Sequence, residues 1–221
     1  MILLLFGPPG SGKCTQSAFL AAHYDIPAIS AMEMFRAACK AGTEFGRMAC
    51  QTFSCGDLVP DDTANRIVAG RIARPDCAGG FLLDGYPQTV AQARSFAALL
   101  AARNLPDPLV LYLDVPKEVL VQRLTSRRQC PRCLRIYDLL WQPPCTPGHC
   151  DEDGGKLFER EDDTEPMVRQ RLSAYREQVR PILDYYGESA VLHIDGLLPP
   201  IGVEQEEQRL IESMLVPAGA R

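Results

Sequence analysis

The run Gly7-Pro8-Pro9-Gly10-Ser11-Gly12-Lys13 combines residue types and spacing that define a chemistry. It follows an apolar run and opens a helical pattern, the setting in which a P-loop holds phosphate. Its glycines let the backbone wrap so that successive N–H groups and a helix N-terminus face an anion, and Lys13 adds a mobile positive charge. Gly10, Ser11, Gly12, Lys13, Cys14 and Thr15 are therefore the candidate phosphate-binding residues. Cys14 stands where the general motif has Ser or Thr, and Thr15 comes one place later. Phosphoryl transfer needs no protein nucleophile, so Cys14 reads as a tolerated small residue.

Moving a phosphoryl group asks the protein for position and positive charge. Arg123 and Arg127 lie four apart and share a helical face. Arg160 sits within Glu159-Arg160-Glu161-Asp162-Asp163, and Arg171 on the helix that follows. Cys130-Pro131-Arg132-Cys133 and Cys150-Asp151-Glu152-Asp153 form two knuckles separated by sixteen residues. Such a set presents four ligands tetrahedrally, and thiolates select zinc, or iron where that metal dominates. Asp153 as fourth ligand keeps the knuckles symmetric; His149 and Cys145 are the alternatives. Four protein ligands leave no open position, so the metal is expected to be structural, with Arg127, Arg128 and Arg132 offsetting its anionic shell. Cys14, Cys39, Cys50, Cys55 and Cys77 are scattered, and the total of nine is odd. Those five read as small buried hydrophobes, not a disulfide framework.

The elements that must position these groups alternate. Apolar runs Ile2 to Phe6, Phe81 to Leu83, Leu109 to Leu113 and Val191 to Ile194 fit strands buried on both faces. Helical spacing covers Thr89 to Ala102, Pro116 to Arg127, and Thr164 to Tyr185. The pattern predicts an α/β fold: a doubly wound parallel sheet with helices on both faces. Residues 31–59 (two short helices) and 128–161 break the rhythm and read as insertions. The expected organisation is a core of 1–30, 60–127 and 162–221 with two insertions, 31–59 and 128–161, the second bearing the metal ligands. A net charge of −5 disfavours nucleic acid as a partner. No run approaches the roughly 20 apolar residues of a membrane helix. A cytoplasmic protein is expected.

The N-terminal G-x-P-G-x-G-K-x-T pattern resembles the nucleoside monophosphate kinases. Ile29-Ser30-Ala31-Met32-Glu33-Met34-Phe35-Arg36, Gly56-Asp57-Leu58-Val59-Pro60-Asp61 and Gly80-Phe81-Leu82-Leu83-Asp84-Gly85-Tyr86-Pro87-Gln88-Thr89 extend the resemblance, and the cysteine spacing is similar to the zinc-bearing lid of bacterial adenylate kinases. The likeness runs from Met1 to about Leu215. It implies a monomeric enzyme that transfers the γ-phosphoryl group of MgATP to AMP. Gly10 to Thr15, Arg123 and Arg127 would bind ATP. Ala31, Arg36, Asp57, Val59, Gly85, Gln88, Gln92, Arg160 and Arg171 would bind AMP, with Gln92 on the adenine edge. Lys13, Arg127, Arg160 and Arg171 would stabilise the transferred group, and Asp84 would hold Mg2+ through water. Cys130, Cys133, Cys150 and Asp153 would hold zinc. Gln88 stands where the family carries an arginine that grips the acceptor phosphate. A neutral amide supplies neither charge nor a bidentate fork. That difference leaves two other readings, a kinase for GMP, UMP or CMP and a weakly catalytic nucleotide-binding protein.

Overall fold

The computed structural model describes residues 1–54 and 58–215. They divide into two compact units: Met1–Gly7 with Gly12–Asp114 and the chain from Glu177 onward, and Pro8–Ser11 with Val115–Arg176.

The first unit is built on five parallel strands in the order β2-β3-β1-β4-β7. These are β1 (Ile2–Phe6), β2 (Ala28–Ser30), β3 (Phe81–Asp84), β4 (Leu109–Asp114) and β7 (Val191–Asp195). Every residue of β1 is buried, as a central strand covered on both faces requires. On one face Leu3, Leu5, Leu82, Leu111 and Leu113 pack with Leu20 of α1 (Lys13–Tyr24) and with Val203 and Ile211 of α8 (Pro200–Leu215). On the other, Phe96 of α5 (Val90–Ala102) meets Phe81 and Tyr86 edge to face, with ring centroids 6.4 and 5.7 Å apart. The four apolar runs all form strands, each within one residue of its expected end. β2 was not expected: three residues with one buried side chain carry too little alternation to register.

Residues 31–54 form two helices, α2 (Ala31–Ala41) and α3 (Glu44–Ser54), joined by a short turn. They cross so closely that a methyl group at Gly46 would collide with the Ala38 carbonyl. A disulfide joins Cys39 to Cys50, whose Cα atoms are 5.4 Å apart. That corrects the reading of these two as unlinked buried thiols. Of the other scattered cysteines, Cys77 is buried, Cys14 is exposed, and Cys55 lies outside the described residues. α4 (Asp61–Ile72) follows, its first turn carrying Asp61 and Asp62 at the positive end of the helix.

In the second unit, Val115, Leu120, Val121 and Leu124, on or beside α6 (Lys117–Thr125), pack on Val168 and Leu172 of α7 (Glu165–Tyr186). Pro116 caps α6 instead of entering its first turn. Between these helices β5 (Arg127–Gln129) pairs antiparallel with β6 (Ile136–Asp138), a hairpin hidden in the sequence by its charged and short strands. A small cluster of Cys130, Tyr137, Cys150 and Leu157 is the only apolar filling of this segment among the described residues.

Candidate active site and lid metal centre

In the first unit, β1 delivers the chain to Gly7, and Lys13 begins α1 with its ammonium donating to the Gly7 carbonyl. Burial pushes the Lys13 ammonium below its ordinary value, while the Asp84 carboxylate at the end of β3 works against that shift. Burial likewise raises Asp84, with Lys13 opposing and Glu33 adding to it. Each shift is opposed by the other group's charge, so the ammonium and the carboxylate lie within electrostatic reach of one another. Burial, then Asp84, pushes the Cys14 thiol up, away from the thiolate that a nucleophile needs.

The acceptor-side candidates share this unit. Ala31 and Val59 are buried, at 2% and 3% exposure. A methyl group on Gly85, which has φ +80°, would come within 3.6 Å of the Ala31 Cβ. Arg36 lies exposed on α2, whose N-terminus is capped by the Ser30 hydroxyl accepting from the Glu33 N–H at 3.4 Å. Asp57 lies outside the described residues. Gln88 is held by its backbone: its N–H donates to Gln92 Oε1 at 2.7 Å and its carbonyl accepts from Gln178 Nε2 at 3.1 Å. Gln92 is fully buried, and its Nε2 donates to Asp61 Oδ1 at 2.9 Å. Each end of the amide thus has a partner within the protein.

The second unit holds Gly10, Ser11 and the four candidate arginines, Arg123, Arg127, Arg160 and Arg171. Gly10 has φ +82°, and a Cβ there would press on Leu124 at 3.0 Å, so glycine alone fits. Its carbonyl accepts from Arg123 at 3.4 Å. The Ser11 hydroxyl is buried with no hydrogen-bond partner, as a group awaiting an anion would be. Arg127 donates through both Nε (2.7 Å) and Nη2 (2.6 Å) to Asp163, which is fully buried. Arg160 forks onto Asp162 at 2.9 Å twice. Arg171 donates to Asp162 Oδ2 at 2.8 Å and Asp163 Oδ1 at 3.4 Å. Asp162 and Asp163 therefore tie three candidate arginines together. Sequence reasoning missed both, because an acidic run before a helix reads as a solvated cap.

Residues 5–191 match the adenylate kinase family. The adenylate kinase of Desulfitobacterium hafniense is 42% identical over 215 residues, covering 97% of this chain and 96% of that one. That of Oceanobacillus iheyensis is 46% identical over 192 residues (87% and 89%), and that of Archaeoglobus fulgidus 40% over 215 (97% and 99%). The chain belongs to the adenylate kinase family. Adenylate kinases are enzymes that use Mg2+ with ATP, and the half-buried Asp84, within electrostatic reach of Lys13, suits an outer-sphere partner for such an ion.

The lid fits a metal as well. One ligand atom from each of Cys130, Cys133, Cys150 and Asp153 lies within 4.8 Å of the others. Cys133 and Cys150 sulfurs are 3.5 Å apart, and Cys130 Sγ is 3.3 Å from Asp153 Oδ1. Around a tetrahedral zinc with bonds near 2.3 Å, ligand edges run to about 3.7 Å, close to these values. Supporting bonds orient the set: Tyr137 Oη lies 3.3 Å from Cys150 Sγ and accepts from Asp151 N–H at 2.7 Å, and Gly155 N–H donates to Asp153 Oδ1 at 2.8 Å. His149 and Cys145 are exposed and outside the group. The expected arginine compensation is corrected: Arg127 pairs with Asp163 and Arg128 with Glu159, leaving Arg132 at the Asp153 carbonyl, 3.4 Å away.

Proposed function

We propose that this chain catalyses the family reaction, reversible transfer of the γ-phosphoryl group of ATP to AMP with formation of two ADP. The observation that carries the reading is the Lys13 ammonium at the end of a glycine loop, within electrostatic reach of Asp84, in a chain of this family. An oxygen of the AMP phosphate attacks the γ-phosphorus in line. The bridging bond breaks and its electron pair stays on the β-phosphate, which leaves as ADP. Lys13 follows the charge of the moving group. Gly10, Ser11, Gly12, Cys14 and Thr15 supply the loop around the donor phosphates.

Arg127, Arg160 and Arg171 neutralise charge on the transferred oxygens, and Arg123 supports the donor nucleotide. Ala31, Arg36, Asp57, Val59, Gly85 and Gln88 hold AMP, with Gln92 supporting from behind. Mg2+ arriving with ATP would supply charge neutralisation at the donor phosphates, and Asp84 would hold it by accepting from its water shell. Residues 31–59 serve as the monophosphate arm and 128–161 as the lid, shaped by zinc on Cys130, Cys133, Cys150 and Asp153. Among the described residues no helix is long and apolar enough to cross a membrane. A monomeric, cytoplasmic enzyme belongs to the same reading and rests on the family alone. A coupled assay with MgATP and each of AMP, GMP, UMP and CMP tests the reading. AMP should give the highest kcat/KM, and no turnover with any of the four would end it.

A further inference from the structure

Around Gln88 the hydrogen bonds form a chain that begins outside the acceptor turn. Asp61, in the first turn of α4, accepts at one oxygen from both Thr89 Oγ1 and Gln92 Nε2, each at 2.9 Å. Thr89 in turn caps α5 by accepting from the Gln92 N–H at 3.1 Å. Gln92 Oε1 then accepts from the Gln88 N–H at 2.7 Å, and Gln178 secures the Gln88 carbonyl at 3.1 Å.

An ionised carboxylate can only accept and a backbone N–H can only donate. The Gln92 amide therefore has one permitted orientation, with nitrogen toward Asp61 and oxygen toward Gln88. Its complete burial removes water as an alternative partner. We infer that Asp61 is a positioning residue for the acceptor monophosphate: through Gln92 it fixes the backbone of the turn that presents Gln88. The inference deepens the proposed function and rests on the reading that this turn meets AMP. Gln88 offers the acceptor one neutral amide, so where the turn places its backbone bears directly on that contact.

The polarity of the chain provides the test. Isothermal titration of the full-length protein with AMP and, separately, with ATP reads each site. Asp61→Leu removes the acceptor and should weaken AMP by about tenfold or more while ATP stays within about twofold. Asp61→Asn keeps a carbonyl acceptor and should recover most of the AMP affinity. Gln92→Glu sets two acceptors face to face and should also weaken AMP by about tenfold or more. The double variant Asp61→Asn/Gln92→Glu reverses one bond and restores the chain, so AMP affinity should return. This pair keeps the test available if Asp61→Leu does not fold. Unchanged AMP affinity in folded Asp61→Leu, equal losses for AMP and ATP, or no recovery in the double variant would each overturn the inference. Wild-type protein that binds no AMP would instead remove the functional reading beneath it.

Discussion

Arg127 holds the buried Asp163 carboxylate with two short hydrogen bonds, 2.7 Å from Nε and 2.6 Å from Nη2. The guanidinium side chain keeps 17% of its surface in solvent while the carboxylate keeps none. Removing one partner of such a pair leaves the other poorly solvated, at a cost of about 2–4 kcal/mol after allowing for the exposed side of Arg127. Asp163→Asn should lower stability by that amount in urea denaturation. It should also lower kcat, because Arg127 and Arg171 lose a shared anchor. Wild-type stability and kcat in that variant would show the pair to be incidental.

Gln88→Arg should raise activity. A hydrogen bond to a charged group contributes about 1.5–3 kcal/mol, equivalent to roughly 10- to 150-fold. Steady-state kinetics with AMP should show kcat/KM rising within that range. No rise would mean that another residue already supplies the charge.

The lid should depend on its metal. Its apolar filling amounts to Tyr137, Leu157 and the two buried ligand cysteines. Chelation, or Cys150→Ser, should release one equivalent of zinc by elemental analysis and lower Tm by about 5 °C or more. A protein that melts unchanged after metal loss would hold its lid by packing alone.

Glu207 predicts a pH dependence of stability. It sits on α8 between Val203 and Ile211, fully buried, with no hydrogen-bond partner on either oxygen. Burial pushes its pKa from 4.5 up to about 8, and Glu204 and Glu206 add to the shift. On α1, Tyr24 faces it, another buried hydroxyl without a partner. The unfolded chain releases this proton near pH 4.5 and the folded one near 8. Between those values the unfolded state binds fewer protons, so stability falls as pH rises and levels off above 8, by roughly 3–5 kcal/mol at most. Denaturant melts at pH 5.5 and 8.5 should show the fall, and Glu207→Leu should flatten it. An equal slope in that variant would assign the dependence to other groups.

The strand that leads to the phosphate loop and the one that carries Asp84 were legible because continuous apolar runs have few other uses in a chain broken by Gly, Pro and Asp. The phosphate loop was legible for the same reason, since its chemistry is local. What the sequence hid depends on partners distant along the chain. Asp163 reaches Arg127 across thirty-six positions, and Asp61 reaches Gln92 across thirty-one. An acidic residue carries no mark of whether it will face water or a guanidinium. Cys39 and Cys50 were misjudged similarly, because eleven positions on two separate helices follow no disulfide spacing. Gln92 was assigned from the family's adenine contact, and only the packed structure shows its amide bound on both sides.

The crossing at Gly46 and the Cys39–Cys50 bond have a mechanical consequence. Two helices that touch backbone to backbone and share a covalent rung cannot slide or splay. They form one stiff plate, and Arg36 is fixed to it like a tool on a lever. Any travel of the Arg36 backbone must come from rotation at residues beyond the plate, so the reach of the helix pair is set at its roots and not along its length.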